Sequence, residues 1–330
     1  MIVLKKMFWS DRKPVNGKVE INLGRLCNLE CVFCMSSGSR NMGGDWMENY
    51  EAAVREMQSL RTFGSEVGFL GGEPTAHPRI VDLIKAAAKM GYKNVSLCTN
   101  GVLCSDMKAA RELVEAGLTR VTLSIHSHRA DIEDVLTNRE NSFRRKELSA
   151  KNFADLYEKG WLQNPPAINL VVHKKNYRSL KDFLDYFSER GIREFRFNGL
   201  RPEGRGREAR AYFVRYSTAA GHILEAVLHG WQRGFRVTCG GFPPCVWPRT
   251  VHARQDVVKR LWADRSEVAR MVSEHSPCTE PGRFSWDDMR CEALKTKPRS
   301  CWKCRLTDLC EGIWISYASI HGLREFRPME

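Results

Sequence analysis

The sequence predicts an α/β fold, a partial (βα)6 TIM-like barrel with a Cys-rich C-terminal extension. Three observations carry this. Six short segments of strand character alternate with five of helical period between residues 18 and 198. Gly or Asn closes most of the segments. Beyond residue 200 the rhythm stops, and residues 235–330 hold seven of the twelve cysteines. Alternating strands and helices imply parallel strands joined by right-handed crossovers. Eight such units close a barrel, and six leave it open or partial.

The elements follow in order. Lys18-Val-Glu-Ile-Asn-Leu-Gly reads as a strand and residues 48–61 as a helix. Glu66-Val-Gly-Phe-Leu is the second strand, stopped by Gly71-Gly72, and residues 79–90 are apolar at helical spacing. Asn94-Val-Ser-Leu-Cys is the third strand, followed by Thr99-Asn100-Gly101 and a helix over 106–116 that stops at Gly117. Thr119-Arg-Val-Thr-Leu-Ser-Ile is the fourth, with a helix over 142–160. Ala167-Ile-Asn-Leu-Val-Val is the fifth, 177–190 a helix, and Ile192 to Phe197 the sixth strand. Arg201-Pro-Glu-Gly-Arg-Gly-Arg reads as a linker and 208–233 as helix. The expected division is a barrel over 1–200, an Arg-rich linker and helix over 201–234, and a Cys-rich region over 235–330.

With 42% hydrophobic and 28% charged residues in 330, the chain has ample apolar surface to fold, which excludes disorder as its main state. No run approaches the roughly 18 apolar residues of a membrane span. Met1-Ile-Val-Leu-Lys-Lys carries no secretory apolar core. A cytoplasmic location and no membrane partner are expected. Twelve cysteines in a reducing compartment point to metal or catalysis rather than disulfides. The balance of 52 basic against 39 acidic residues, +13, favours an acidic or phosphorylated substrate or a nucleic acid, against a solvated basic surface.

Cys27, Cys31 and Cys34 stand as Cys-x3-Cys-x2-Cys just after the first strand. In open α/β sheets ligands bind at the carboxyl ends of strands. Three thiolates so close in sequence can face one metal centre. Iron–sulfur clusters are held by four cysteines, so three leave one position open, as in reactive rather than structural metal sites. A structural zinc with its fourth ligand elsewhere is the alternative.

Here the chain resembles the radical S-adenosylmethionine enzymes, over about residues 15–200. The resemblance implies that Cys27, Cys31 and Cys34 hold a [4Fe–4S] cluster. Its open iron chelates S-adenosyl-L-methionine, whose reductive cleavage gives a 5′-deoxyadenosyl radical that abstracts hydrogen from a substrate. It also implies an electron donor such as flavodoxin or ferredoxin. Phe33 matches the aromatic residue that lies near adenine in that family. Gly71, Gly72, Glu73 and Pro74 look like the family's Gly-Gly-Glu motif, in which backbone carbonyls and the acid accept from the methionyl ammonium. Thr99, Asn100 and Ser124 resemble further contacts to S-adenosylmethionine, and Asn169, Val171 and Asn198 resemble residues near the adenine. Without the resemblance, a Gly-Gly turn and polar strand-end caps account for these positions. His126 and His128 read as polar loop residues, Cys98 as a small core residue and Cys104 as a surface thiol.

Cys301, Cys304 and Cys310 form Cys-x2-Cys-x5-Cys. This resembles the auxiliary-cluster segment of radical S-adenosylmethionine enzymes with a SPASM or twitch extension. The fuller pattern places a cysteine where this chain has Trp314, which implies one auxiliary iron–sulfur cluster. Its fourth ligand is expected to be Cys245, with Cys291, Cys278 and Cys239 as alternates. A zinc ribbon is the other reading, because thiolate spacing does not choose the metal.

The substrate is the least legible part. Arg193, Arg196, Arg201, Arg205, Arg207, Arg210 and Arg215 crowd the passage after the sixth strand, expected at the barrel mouth, and Arg forks suit carboxylate or phosphate. The expected substrate is a ribosomal peptide or a small biosynthetic metabolite. The first cysteine stands at residue 27, leaving little room ahead for a peptide-recognition domain. The alternatives are a radical modifier of tRNA or another nucleic acid, and a non-catalytic zinc protein that binds nucleic acid.

Overall fold

The computed structural model describes residues 17–35, 50–252, 257, 261, 271–274, 282–284, 294–308 and 310–329. Alternation decides how each strand is used. In β1 (Lys18–Asn22), Val19 and Ile21 are buried in the outer core while Lys18 and Glu20 line an internal cavity. The same division recurs in β2 (Glu66–Leu70), β3 (Asn94–Thr99), β4 (Arg120–Ser124), β5 (Ala167–Val172) and β6 (Glu194–Gly199). Each pairs in parallel with its sequence neighbour.

The helices cover the outer face. In α2 (Ile80–Lys89), Ile80, Leu83, Ile84 and Ala87 are buried, and in α6 (Leu180–Ser188), Leu180, Phe183, Leu184 and Phe187 are. Both sets repeat at i, i+3, i+4, i+7, one apolar stripe of a helix. α1 (Tyr50–Leu60), α3 (Met107–Glu115) and α5 (Ser142–Glu158) do the same work.

The barrel runs one unit further than the sequence rhythm. α7 (Tyr216–Gln232) leads into β7 (Arg236–Gly240), which pairs in parallel with β6, so seven consecutive strands are parallel. β7 lies inside the segment read as Cys-rich. Its outward face offers only Val237 as a fully apolar buried residue, too little pattern to read. Farther on, β8 (Met271–Glu274) pairs in parallel with β1, and β9 (Gly282–Phe284) extends that edge antiparallel. One helix was not foreseen, α4 (Ala130–Thr137). It is short and ends on Asn138, a non-Gly residue at φ 51°. The expected helix over 208–233 begins only at Tyr216, after short turns at 204–207 and 210–212.

Besides β8 and β9, the described residues of the C-terminal region form α8 (Arg249–His252), a short antiparallel pair of β10 (Lys295–Thr296) and β11 (Ile313–Trp314), and α9 (Ile315–His321). It docks on α7 through Tyr317, which stacks on Tyr216 at 3.8 Å between centroids, and its hydroxyl accepts from the Tyr216 backbone at 2.9 Å. Among the described residues, no helix is long and apolar enough to cross a membrane.

Candidate active site at the strand ends

The loop bearing Cys27, Cys31 and Cys34 is held by backbone contacts from several directions. Leu23 and Gly72 amides donate to Leu70 and Gly24 carbonyls at 2.7 Å, and Glu73 donates to Leu26 at 2.7 Å. A Cβ on Gly72 would stand 2.2 Å from the Leu26 oxygen, so only Gly allows this approach. On the far side Glu30 and Val32 amides donate to Thr137 and Leu136 at the end of α4. The turn at 204–205 closes the third side. The Arg205 amide donates to the Cys34 carbonyl at 3.0 Å, and its guanidinium reaches the Cys31 carbonyl at 3.4 Å. Gly204, at φ +55°, leaves no room for a Cβ, which would meet the Met35 and Cys34 oxygens at 2.4 and 2.5 Å.

The Gly-Gly-Glu turn and the Thr99–Asn100 corner form one network. Glu73 is buried, and its carboxylate accepts from the Thr75 amide (3.0 Å) and hydroxyl (2.6 Å), the Thr99 hydroxyl (2.5 Å) and the Asn100 amide (2.6 Å). Both oxygens are therefore committed to the fold. Asn100 continues the chain outward, donating to the Asn28 side chain at 2.7 Å and to the Cys27 sulfur at 3.9 Å. Pro74 starts the 3-10 turn over 74–76 that Glu73 caps.

Beneath the loop lies a residue that the sequence reading missed. Lys146, 1% exposed, donates to Glu133 at 2.6 Å and to the Ser124 carbonyl at 2.9 Å. Glu133, fully buried, also accepts from the His126 amide at 2.8 Å. This pair ties the end of β4 to α4 and α5. The signal was present: position 146 stands on the buried stripe of α5 with Phe143, Ala150 and Phe153, so a Lys there had to find a partner. Burial pushes the Cys31 thiol up to about 12, and the Lys146 charge opposes that shift. Burial also raises the Cys27 thiol.

Phe33 is buried against the same floor, edge-on to His126 at 5.1 Å and tilted to His173 at 6.1 Å. His126 accepts the Val171 amide on Nδ1, and burial followed by the Lys146 charge keeps it neutral. It stands in the loop after β4 but is buried there, and His128 packs half-buried on the Phe183 and Tyr186 rings.

The barrel lumen is a cavity of about 320 Å³. Lys18, Arg120, Arg196 and Lys295 line it, with Glu20 and Glu311 as the acids. Arg120 pairs with Glu194, and Lys295 with Glu311. Asn169 and Asn198 face this cavity and bond to each other. Cys98 faces it too, so it is a wall residue rather than core packing. Cys104, expected at the surface, is buried in the core, and burial raises its thiol. The arginines are dispersed. Arg193 precedes β6 and sits at the opposite end of the barrel, bonding the Ser188 and Ile192 carbonyls. Arg201 forks onto Glu203 and lies 3.9 Å over the Trp314 ring. Of the expected set, Arg196 lines the cavity and Arg205 grips the cluster loop, while Arg193 lies at the far end.

The second cysteine set converges. Cys245 is pushed up to about 12 by burial and then by the nearby thiols of Cys310, Cys301 and Cys304. Cys304 and Cys310 sulfurs accept from the Met329 and Gly312 amides at 3.4 Å. Cys310 and Cys239 both line the lumen cavity. Cys278 and Cys291 lie outside the described residues. Trp314 occupies β11, its ring between Arg201 and Lys295.

Among the described residues, no three donor side chains converge on a point that could hold a single metal ion. A tetrahedral zinc needs donors within about 2.3 Å of one point. A cubane spreads its thiolates over its corners, and thiolate donors alone suit either an iron–sulfur cluster or zinc.

The comparisons with known proteins bear on both ends. A family model described as "Radical SAM superfamily" matches residues 21–187, just over half the chain. A "Probable GTP 3',8-cyclase" of Saccharolobus solfataricus is 30% identical over 192 residues, 58% of this chain and 59% of the relative. The chain thus spans about 59% of the length of that curated relative. The structure of Streptococcus suis SuiB bound to S-adenosylmethionine superposes with a TM-score of 0.63 at 17% identity, over 96% of this chain and 76% of SuiB. The structure titled anSMEcpe with bound AdoMet and a peptide gives a TM-score of 0.54 at 21% identity, over 68% of this chain and 64% of that one. At these identities the two structures speak for the fold alone.

Proposed function

Since the chain belongs to the radical SAM superfamily and is a radical SAM enzyme, we propose that it abstracts hydrogen from a compact anionic metabolite held in the barrel lumen. Cys27, Cys31 and Cys34 would hold a [4Fe–4S] cluster. When bound, that cluster supplies the electron that splits S-adenosylmethionine into methionine and a 5′-deoxyadenosyl radical. The chain's own residues prepare the place. Gly72 keeps the loop close to β2, Asn100 holds Asn28 and approaches Cys27, and Phe33 with Val171 offers an apolar wall for adenine. Because Glu73 is buried and holds Thr75, Thr99 and Asn100, recognition of the methionyl ammonium is assigned to backbone carbonyls of the loop and of Gly71–Gly72. Asn169 and Asn198 line the lumen and would be available to either ligand.

The observation that carries the substrate class is the lumen. Lys18, Arg120, Arg196 and Lys295 line a half-open volume of about 320 Å³, and Lys18, Arg120 and Lys295 each pair with a carboxylate, Glu20, Glu194 and Glu311. A half-open site with these basic groups suits phosphate or carboxylate on a small body, which would exchange with the paired acids. The curated relative's name, a GTP cyclase, agrees with a nucleotide. A peptide is the second reading, favoured by the peptide-bound structure of similar fold. Cys245, Cys301, Cys304 and Cys310 would hold the auxiliary cluster, with Cys310 on the cavity wall.

The test is anaerobic reconstitution with iron and sulfide, then dithionite and S-adenosylmethionine. Release of 5′-deoxyadenosine is expected, and the triple substitution Cys27→Ala, Cys31→Ala, Cys34→Ala abolishes it. Full release by the triple variant overturns the assignment. Deuterium transfer into 5′-deoxyadenosine from deuterated nucleotides, and not from peptides, supports the substrate class.

A further inference from the structure

The auxiliary cysteines form part of the molecular surface. Cys301 and Cys304 are half-buried, and Trp302 between them is 78% exposed, the most exposed large apolar residue among those described. An exposed aromatic alone is ordinary. This one is ringed by charge of one sign. Lys297, Arg299, Lys303 and Arg305 are all exposed, against Asp308 as the single acid from 297 to 308. Lys297 and Arg305 donate to the Thr307 and His252 carbonyls, neutral acceptors, and form no ion pair among the described residues. Arg299 and Lys303 form no ion pair among the described residues. The tail adds exposed Arg324 and Arg327, and the Arg327 backbone meets the Cys245 sulfur. The cations therefore collect where the four thiols collect.

We infer that the face around Trp302 docks a small acidic electron-carrier protein, which delivers one electron to the auxiliary cluster. The inference rests on the reading that Cys245, Cys301, Cys304 and Cys310 hold an iron–sulfur cluster. The balance is simple: the reduced carrier loses one electron, the cluster gains one, and no group or proton is transferred. A protein fits better than a nucleic acid. One protruding aromatic anchor inside a cationic rim matches the core-and-rim arrangement of protein interfaces. A single strand of nucleic acid would call for several stacking rings along a groove, and among the described residues Trp302 is the one large apolar side chain exposed beyond half on this stretch. Rim charges of this kind steer encounter and make it salt-sensitive.

The full reconstituted chain is tested with recombinant flavodoxin as the probe, by calorimetric binding and by the rate at which reduced flavodoxin bleaches the iron–sulfur absorbance. Two variants are compared: Trp302→Ser, and the double variant Arg299→Glu with Lys303→Glu. Each is expected to weaken flavodoxin binding about tenfold or more, and the double variant to flatten the salt dependence. Reduction by dithionite and iron content should stay at wild-type values. Unchanged flavodoxin binding in both variants overturns the inference, as does absence of binding by the wild type. Tight tRNA binding that the double variant loses, with no flavodoxin binding, replaces the carrier by a nucleic acid. Wild-type iron amounting to one cluster refutes the auxiliary site, whereas the docking face stands or falls on the binding measurement.

Discussion

Cys27, Cys31 and Cys34 ride on a loop that β1, β2, the end of α4 and the turn at 204–205 all grip through backbone hydrogen bonds. Cys245, Cys301, Cys304 and Cys310 ride on turns whose nearest regular elements are a short antiparallel strand pair and a short helix. The first set is a site built by a fold. The second sits on turns anchored to the main core through Ile313, Trp314, Tyr317 and Phe326. A buried apolar core can stabilise a loop without any ligand, while turns with little regular structure are expected to draw further order from whatever their thiols bind.

The largest expected effect breaks the two regions apart. Metal binding can supply ~10 kcal/mol of folding energy to a small metal-held segment. Stripping iron with a chelator should then raise amide exchange across residues 295–329 by a hundredfold or more, about 3 kcal/mol of lost protection. The strands β2 to β6 should keep theirs. Hydrogen exchange read by mass spectrometry decides it. Equal loss in both regions would mean that the cluster loop also depends on metal, and the contrast drawn above would fail.

A second, smaller effect probes the barrel side. Lys146 and Glu133 are both buried and bonded to each other and to the β4 end. Removing one charge strands the other in the core, which costs about 3–5 kcal/mol. Lys146→Met is expected to lose that much in denaturant unfolding. Lys146→Met with Glu133→Leu should recover most of it, leaving about 1 kcal/mol for the His126 amide deprived of its acceptor. Auxiliary iron should not change in either. A Lys146→Met protein as stable as wild type would show that the pair is not what fastens β4 to α4 and α5.

These contrasts explain what could be read without coordinates. Strong alternation made β1 to β6 legible, and the Cys-x3-Cys-x2-Cys spacing marked the loop, because both are local patterns. β7 was not legible, since one buried valine does not make a pattern. The meeting of Cys245 with three cysteines more than fifty residues later was readable only as a first choice among four, because nothing local encodes it. Lys146 was hidden by its type: a charged residue on an apolar stripe looks like noise until its partner, Glu133, is found on another helix. The arginines misled in the opposite way. They crowd together in sequence, yet β6 carries Arg193 to one end of the barrel, Arg196 into the lumen and Arg205 onto the cluster loop.

That last arginine gives the smallest expected effect and the sharpest division between side chain and backbone. Arg205 touches the cluster loop twice: its amide meets the Cys34 carbonyl at 3.0 Å and its guanidinium meets the Cys31 carbonyl at 3.4 Å. Arg205→Ala removes the guanidinium contact to the Cys31 carbonyl while keeping the amide, and that contact should be worth about 1 kcal/mol or less. Gly204→Ala leaves both donors but forces a Cβ into a left-handed backbone against the Met35 and Cys34 oxygens. It should cost more, because the conformation alone is worth about 1–2 kcal/mol. Thermal unfolding of the reconstituted variants, with iron content as the companion readout, orders the two. If Arg205→Ala proves the more damaging, the guanidinium and not the close backbone seat is what fixes the third side of the loop. The first site would then depend on a single side chain, as the second depends on its thiols.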